Sequence, residues 1–127
     1  MEYLSLEQIV LIHATVIEET GGAHGIRDLH LLESAAEMPK QFVFGKELYN
    51  TVFLKAATYI RSLAMNHAFI DGNKRTAAVT AITFLEINQH YLNLREGVLA
   101  DFILRVIEKH LEPAQIALWL KKHSKKI

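Results

Sequence analysis

The sequence contains no cysteine, and only two prolines and six glycines among its 127 residues. Without cysteine the chain has neither disulfides nor thiolate metal ligands, which is typical of proteins in a reducing cytosol. The scarcity of proline and glycine favours uninterrupted helices, because these two residues most often end them. We therefore expect a helical, cytoplasmic protein without a disulfide framework.

The chain also lacks an excess of charge and a long hydrophobic run. Its 14 basic and 14 acidic residues give a formal net charge of zero, which argues against general binding to nucleic acid or to anionic membranes. No uncharged apolar run approaches the roughly 18 residues of a membrane span, and no signal peptide is recognisable. The length fits one domain with a substantial core. We expect a single domain over residues 1–127, with no membrane partner and no direct nucleic-acid partner.

Apolar residues recur at helical spacing along most of the chain. Ser5 with Gln8 has the spacing of a capping box, Asp28 suits a second cap, and Pro113 suits a first helical position. The predicted helices, in chain order, are residues 6–20, 29–38, 51–66, 72–87, 98–110 and 113–123. The fourth is apolar nearly all round, which is typical of a helix surrounded by others. The predicted fold class is an all-α bundle around this central buried helix of roughly four turns.

The segments outside the helices are assigned from their composition. Residues 40–49, KQFVFGKELY, are aromatic and broken by glycine, which predicts a loop or a small hairpin. The terminal KKHSKK is expected to be a solvated, frayed end. In the helix over 51–66, Lys55, Thr58 and Ser62 are assigned to the polar face. The histidines outside the central motif, at positions 13, 24, 30, 90, 110 and 123, show no metal-ligand spacing and are interpreted as surface or capping groups.

One stretch, HAFIDGNKRT at residues 67–76, combines a histidine, a carboxylate, a glycine, an amide and two cations. It is expected to join two helices, so that the first N–H groups of the second helix point outwards at its positive dipole end. Gly72 would let the backbone approach a ligand closely, and Lys74 and Arg75 would add positive charge. A junction of this kind suits a phosphate group.

Asp71 places a carboxylate beside this predicted phosphate site, and a divalent metal would reconcile the two, because magnesium binds through carboxylates together with phosphate oxygens. His67 suits a general base that removes a proton from an attacking hydroxyl. Taken singly, these residues have ordinary interpretations as a helix cap, a dipole partner and turn residues. Their coincidence favours nucleotide-dependent transfer to a hydroxyl.

The same residues resemble the motif of the Fic/Doc family, written loosely as H-x-F-x-[DE]-G-N-G-R-x-x-R. The matching positions are His67, Phe69, Asp71, Gly72, Asn73 and Arg75. Lys74 stands where the family has its second glycine, and Ala78 where it has its last arginine. GNKRTA in this form is typical of the death-on-curing (Doc) branch. The similarity extends to TGGAHGIRDLHLLESA and to FLEINQHYL, and so covers most of the chain.

The resemblance implies the toxin of a type II toxin–antitoxin pair, which transfers the γ-phosphate of ATP to a serine or threonine hydroxyl. The implied target is elongation factor Tu, so that translation stops, and the implied partner is a Phd-type antitoxin. In the implied site, His67, Asp71 and Lys74 are catalytic and Asp71 holds Mg²⁺. Gly72, Asn73, Lys74 and Arg75 bind the nucleotide.

Three alternatives remain open at this point. One is AMP transfer to a protein hydroxyl, as in typical Fic enzymes, although Lys74 and Ala78 both argue against it. Another is a module that binds a nucleotide or a partner without catalysis, which would not need His67. The third concerns residues 40–49, which correspond to the family's target-aligning flap. There, Phe42 and Phe44 would simply pack over the core, which is compatible with a flap.

Overall fold

A computed structural model of the protein describes all 127 residues and consists of six helices with two small sheets. The helices are α1 (Leu6–Thr20), α2 (Leu29–Glu37), α3 (Val52–Met65), α4 (Asn73–Ile87), α5 (Val98–Lys109) and α6 (Pro113–Lys122). A 3-10 turn, Met38–Lys40, follows α2. The predicted helical fold class is confirmed. No helix has both the length and the apolar character that crossing a membrane requires.

Local capping signals set the starts of most helices. The Ser5 side chain accepts the Gln8 N–H, and the Gln8 side chain accepts the Ser5 N–H, which completes the predicted capping box of α1. Asp28 caps α2 as predicted, and Thr51 caps α3 in the same way. The start of α4 differs, because its cap residue is Gly72 and no side chain caps it.

The centre of the bundle is shared by two helices. Eight residues of α3 and seven of α4 are buried, and the two helices pack directly on each other. The remaining helices surround this pair, with α2, α5 and α6 against α3, and α1 and α5 against α4. Helix α4 has the predicted length of about four turns. It is not surrounded on every side as predicted, because Val79 and Thr83 on its outer side are only half-buried. The position of α4 fixes the direction in which its uncapped first turn points.

Two residues assigned to the polar face of α3 are buried, which corrects that prediction. Lys55 is only 1% exposed, and its Nζ donates to the Pro39 carbonyl at 3.0 Å and to Glu47 Oε1 at 3.0 Å. The Thr58 hydroxyl donates to the Lys55 carbonyl at 2.8 Å. Because α3 is covered on several sides, even its polar positions face other elements, and each of these polar groups bonds to a neighbour.

Residues 42–47 form a hairpin that projects from the bundle. Its strands are β1 (Phe42–Val43) and β2 (Lys46–Glu47), and its turn residues Phe44 and Gly45 have left-handed φ angles of 51° and 76°. Phe44 is fully exposed and Phe42 is 65% exposed. The interpretation that these two rings pack over the core is therefore wrong, whereas the predicted hairpin is confirmed.

A second sheet was not predicted. Strand β3 (His90–Leu92) pairs antiparallel with β4 (Ser124–Lys126), and the Ile127 N–H donates to the Gln89 carbonyl at 2.9 Å. The expected frayed end is therefore an ordered strand. Each strand has only three residues, so neither carries a recognisable alternation. The strands follow α4 and α6, and both of these helices pack on α3.

Candidate active site

The loop that joins α3 to α4, residues 66–72 (the motif loop), opens into a cleft of about 330 Å³ at the start of α4. The cleft is lined by His67 and by residues 70–75. All of the predicted site residues therefore surround one cleft. Helix α3 ends at Met65 with Asn66 as its cap, so His67 lies just beyond the helix.

The start of α4 offers unpaired donors to the cleft. The first hydrogen bond of the helix runs from the Thr76 N–H to the Gly72 carbonyl at 2.9 Å, and the N–H groups of residues 73–75 have no acceptor in the protein. The side chains of Lys74 and Arg75 are exposed and form no ion pair. Free N–H groups, the positive helix end and two cations together suit a phosphate group.

Each oxygen of the Asp71 carboxylate accepts a backbone N–H group. Its Oδ1 accepts the Gly72 N–H at 2.9 Å and its Oδ2 accepts the Ala23 N–H at 3.2 Å, while the residue stays exposed. No group of three histidine or acidic side chains that could hold a metal exists in the protein. One carboxylate beside a phosphate site fits Mg²⁺ shared with phosphate oxygens, since magnesium often takes only one or two protein carboxylates.

His67 has an exposed side chain that makes no hydrogen bond, so both ring nitrogens are available to a substrate. Its backbone is left-handed, with a φ angle of 50°. The ring and the Asp71 carboxylate line the same cleft. An imidazole with unoccupied nitrogens beside a phosphate site suits the removal of a proton from an incoming hydroxyl.

Asn73 and Phe69 close the motif loop from within. The Asn73 side chain accepts the Phe69 N–H at 2.9 Å and donates to the Phe69 carbonyl at 2.9 Å. Both functional groups of this amide are thus occupied, and Asn73 is only 8% exposed. It reaches the cleft through its backbone N–H, while Phe69, 1% exposed, attaches the loop to the core.

His13 belongs to the surroundings of the site, which corrects its interpretation as a surface or capping group. It is 3% exposed, its Nε2 lies 2.7 Å from the Asp71 carbonyl oxygen, and its ring stacks on Phe69 at 3.8 Å. Because the partner is a carbonyl, Nε2 carries the proton. Its spacing from the buried Ile9 and Val16 along α1 was the signal that could have revealed it.

The loop between α1 and α2, residues 21–28 (the α1–α2 loop), runs along the motif loop and was also missed. Besides the bond from Ala23 to Asp71, the Ile70 N–H donates to the Gly25 carbonyl at 3.1 Å. Gly22 has a φ angle of 112°, and a Cβ atom there would lie 2.7 Å from Asp71 Oδ2. A side chain at Gly22 would therefore displace the Asp71 carboxylate.

Comparison with known proteins agrees with this geometry. The profile of the Fic/DOC family matches residues 3–85, from before α1 to near the end of α4. The chain belongs to the Fic/DOC family. A protein named toxin Doc from Mycolicibacterium smegmatis (strain ATCC 700084 / mc(2)155) is 42% identical over 87 residues, which cover 68% of this chain and 65% of that protein. Protein kinase doc of Escherichia phage P1 is 33% identical over 88 residues, covering 69% of each chain.

Two departures from the Fic/DOC motif lie one helical turn apart on α4. Lys74 lines the cleft with an exposed side chain, and Ala78 is half-buried on the same side of the helix. A lysine in place of glycine adds volume and charge to the floor of the cleft. An alanine in place of arginine removes a cation. Compared with the family motif, the positive charge near the phosphate site therefore lies one turn closer to the start of α4.

If the cleft holds Mg²⁺ together with a phosphate group, replacing Asp71 by asparagine should weaken that binding while leaving the fold intact. The variant keeps one oxygen for the Gly72 N–H but loses the acceptor for the Ala23 N–H and the negative charge that a divalent ion needs. Residues that only hydrogen-bond to a metal ligand already change metal affinity by about 10- to 100-fold. A loss at least that large is expected when the rate of the transfer reaction predicted from the motif is titrated with Mg²⁺. Asp101→Asn, which alters an exposed carboxylate in the first turn of α5, is the control. A parental Mg²⁺ response would restrict Asp71 to anchoring the loop.

Proposed function

We propose that this Fic/DOC protein is the toxin of a toxin–antitoxin pair, and that it transfers the γ-phosphoryl group of ATP to a serine or threonine hydroxyl of a protein. The observation that carries the proposal is the cleft in which His67 and Asp71 lie beside the uncapped start of α4. The names of the two relatives, toxin Doc and protein kinase doc, support it.

In this proposal the N–H groups of residues 73–75 bind phosphate oxygens, together with the side chains of Lys74 and Arg75. Gly72, with a φ angle of 74°, makes the turn that directs these groups at one point. Asp71 and the nucleotide phosphates would hold Mg²⁺, which supplies positive charge to the phosphate oxygens when bound. The Asp71 carboxylate is already oriented by its two backbone hydrogen bonds.

His67 takes the proton from the target hydroxyl as the oxygen of that hydroxyl bonds to the γ-phosphorus. The bond between the γ-phosphorus and the bridging oxygen breaks, and ADP leaves with the electron pair of that bond. A base is effective here only if its nitrogen is free to accept, and the His67 side chain makes no hydrogen bond within the protein. Lys74 and Arg75 neutralise the charge of the departing phosphates.

The exposed hairpin of residues 42–47 would align the target. It offers unpaired strand edges and the exposed rings of Phe42 and Phe44, which suit backbone pairing with an extended segment. From the family resemblance we propose elongation factor Tu as the target, with arrested translation as the outcome and the cytoplasm as the site of action. A Phd-type antitoxin would restrain the enzyme, because the sequence has no [ST]-x-x-x-E-[GN] inhibitory helix of its own.

Incubation of the protein with elongation factor Tu, Mg²⁺ and either α-labelled or γ-labelled ATP tests the proposal. Label from the γ-position on the factor is the expected result. Label from the α-position would show AMP transfer instead. Absence of label from both, with nucleotide bound, would show a binding module and overturn the proposed enzyme.

Replacing Lys74 by glycine in the same assay is expected to abolish most γ-phosphoryl transfer and to favour AMP transfer. The change removes a side chain and a charge from the cleft floor, which opens space for the α-phosphate. Mass spectrometry of the target separates the products, since one phosphate adds ~80 Da and one AMP ~329 Da. Lys74→Met keeps the length of the side chain but removes its charge, so it separates the effect of side-chain volume from the effect of charge. Undiminished phosphorylation by Lys74→Gly would show that Lys74 does not select the chemistry.

A further inference from the structure

Arg27, in the α1–α2 loop, reaches the backbone of the motif loop across about 40 residues of sequence. Its Nε donates to the His67 carbonyl, and its Nη2 donates to the Asn66 carbonyl at 3.0 Å. The planar guanidinium therefore holds two successive carbonyl groups at once. A fixed pair of donors of this kind determines orientation as well as position.

The next carbonyl along the motif loop is held from the same place. The backbone N–H groups of Arg27 and Asp28 donate to the Ala68 carbonyl at 2.8 and 3.0 Å. The carbonyls of residues 66, 67 and 68 are thus all bound by residues 27 and 28. If these bonds served only to cap α3, they would reach only the last carbonyl groups of that helix. Here they also fix the peptide groups before and after His67.

His67 depends on this backbone restraint for its orientation. Its side chain has no hydrogen-bond partner, so no carboxylate or carbonyl turns the ring, as often happens for a catalytic imidazole. Its backbone adopts a left-handed φ of 50°, a conformation that residues with a Cβ atom rarely hold without support. The direction of its Cα–Cβ bond, and hence the reach of the ring into the cleft, follows from the peptide groups that Arg27 binds.

We infer that Arg27 is a positioning residue that holds His67 in the conformation needed for proton transfer, without touching the nucleotide itself. The inference rests on the proposed function only for its kinetic consequence, since the contacts themselves are independent of substrate. It assigns a role to a residue outside the motif and on a different element of the fold.

A double-mutant cycle of Arg27 and His67 tests the inference. We expect Arg27→Ala to lower kcat by about 10- to 100-fold, as misplacement of a reacting group does, with KM for ATP changed less than about twofold. In the His67→Ala background the same change should have no further effect, because the group that Arg27 positions is gone. Arg27→Lys should recover little, since one ammonium group cannot reproduce the planar pair of donors.

Arg61→Ala is the matched control. Arg61 Nε donates to the Leu111 carbonyl at 3.0 Å, so this variant also breaks a long-range bond from guanidinium to backbone, but on a part of the fold away from the cleft. It should leave kcat unchanged. An equal loss from Arg27→Ala in both His67 backgrounds, or a large rise in KM, would overturn the inference, because Arg27 would then act independently of His67 or contact the nucleotide.

Backbone NMR of His67 separates this inference from the proposed function. If the parent transfers no label from ATP, the proposed function fails, yet the conformational claim is still measurable. Backbone chemical shifts should report a left-handed His67 in the parent and in Arg61→Ala, and loss of that conformation in Arg27→Ala, or in Arg27→Lys should the alanine variant not fold. An unchanged His67 backbone without the Arg27 guanidinium would overturn the inference.

Discussion

Replacing His67 by alanine is expected to lower the transfer rate by about 10²- to 10⁴-fold, which is the usual contribution of a general base. The fold should be retained, because the side chain is exposed and makes no hydrogen bond within the protein. ATP affinity should be retained, because the proposal assigns phosphate binding to residues 73–75. The measurements are kcat with γ-labelled ATP, ATP binding by titration calorimetry, and the thermal unfolding midpoint. Transfer close to the parental rate would remove His67 from the mechanism.

His110 supplies a closely matched control for this variant. It is also exposed, it also has a φ angle of 50°, and it follows the C-terminal end of α5 as His67 follows that of α3. His110→Ala therefore carries the same backbone cost of an alanine in a left-handed conformation, without removing a group from the cleft. Equal rate losses in the two variants would point to a general effect on folding rather than to catalysis.

Among the substitutions proposed here, replacing Lys55 by alanine is expected to lower the free energy of unfolding most. Three buried methylene groups are removed, at about 0.8 kcal/mol each, and the Pro39 carbonyl loses its donor, at about 1 kcal/mol. The expected loss is about 3 kcal/mol, or about 10 °C in the unfolding midpoint of a domain of this size. Chemical denaturation followed by circular dichroism measures it. A change of less than about 1 kcal/mol would show that the buried position of Lys55 contributes little.

Two companion variants separate the causes of that loss. Lys55→Met keeps the apolar length but leaves Pro39 and Glu47 without their donor, and should cost about 1–2 kcal/mol. Lys40→Met alters an exposed lysine paired with Glu37 and should be nearly neutral. Because Glu47 lies in β2, the methionine variant should also loosen the hairpin at residues 42–47, which faster amide hydrogen exchange would show.

The stability that Lys55 contributes should depend on pH in the alkaline range. Burial opposes the charge, but contacts with Tyr3 and Glu47 outweigh it, so the pKa of Lys55 lies above its ordinary value of 10.5. The folded protein then binds this proton more tightly than the unfolded chain. The contribution is fully present below about pH 10.5 and is lost as the pH rises through the folded pKa. The difference in stability between the parent and Lys55→Met should therefore shrink above that pH.

Features with local causes could be predicted from the sequence. Ser5, Asp28 and Pro113 begin α1, α2 and α6 as expected, because a cap acts on groups within about three residues of chain. The same holds for the motif at residues 67–76. Its members are contiguous, so a helix–loop–helix corner is enough to bring them to one cleft, and distant segments then fix their orientation.

Features that depend on distant partners could not be predicted in this way. The face on which Lys55 lies is polar by periodicity, yet the packing of α3 against several elements buries it beside Glu47. The pairing of β3 with β4 joins strands about 30 residues apart, each too short to carry a pattern. His13 and Arg27 reach the motif loop across 58 and 40 residues.

The sequence by itself determined which chemical groups meet at the start of α4, because residue type and short-range spacing set the charges, the donors and the helix end. Only the tertiary structure decided how those groups are held. Arg27 and His13 act through hydrogen bonds to the backbone of the motif loop, and a backbone carbonyl is the same in every residue. Such contacts leave no mark on the identity of the residues they hold, and they exist only once α1 and α3 pack on α4.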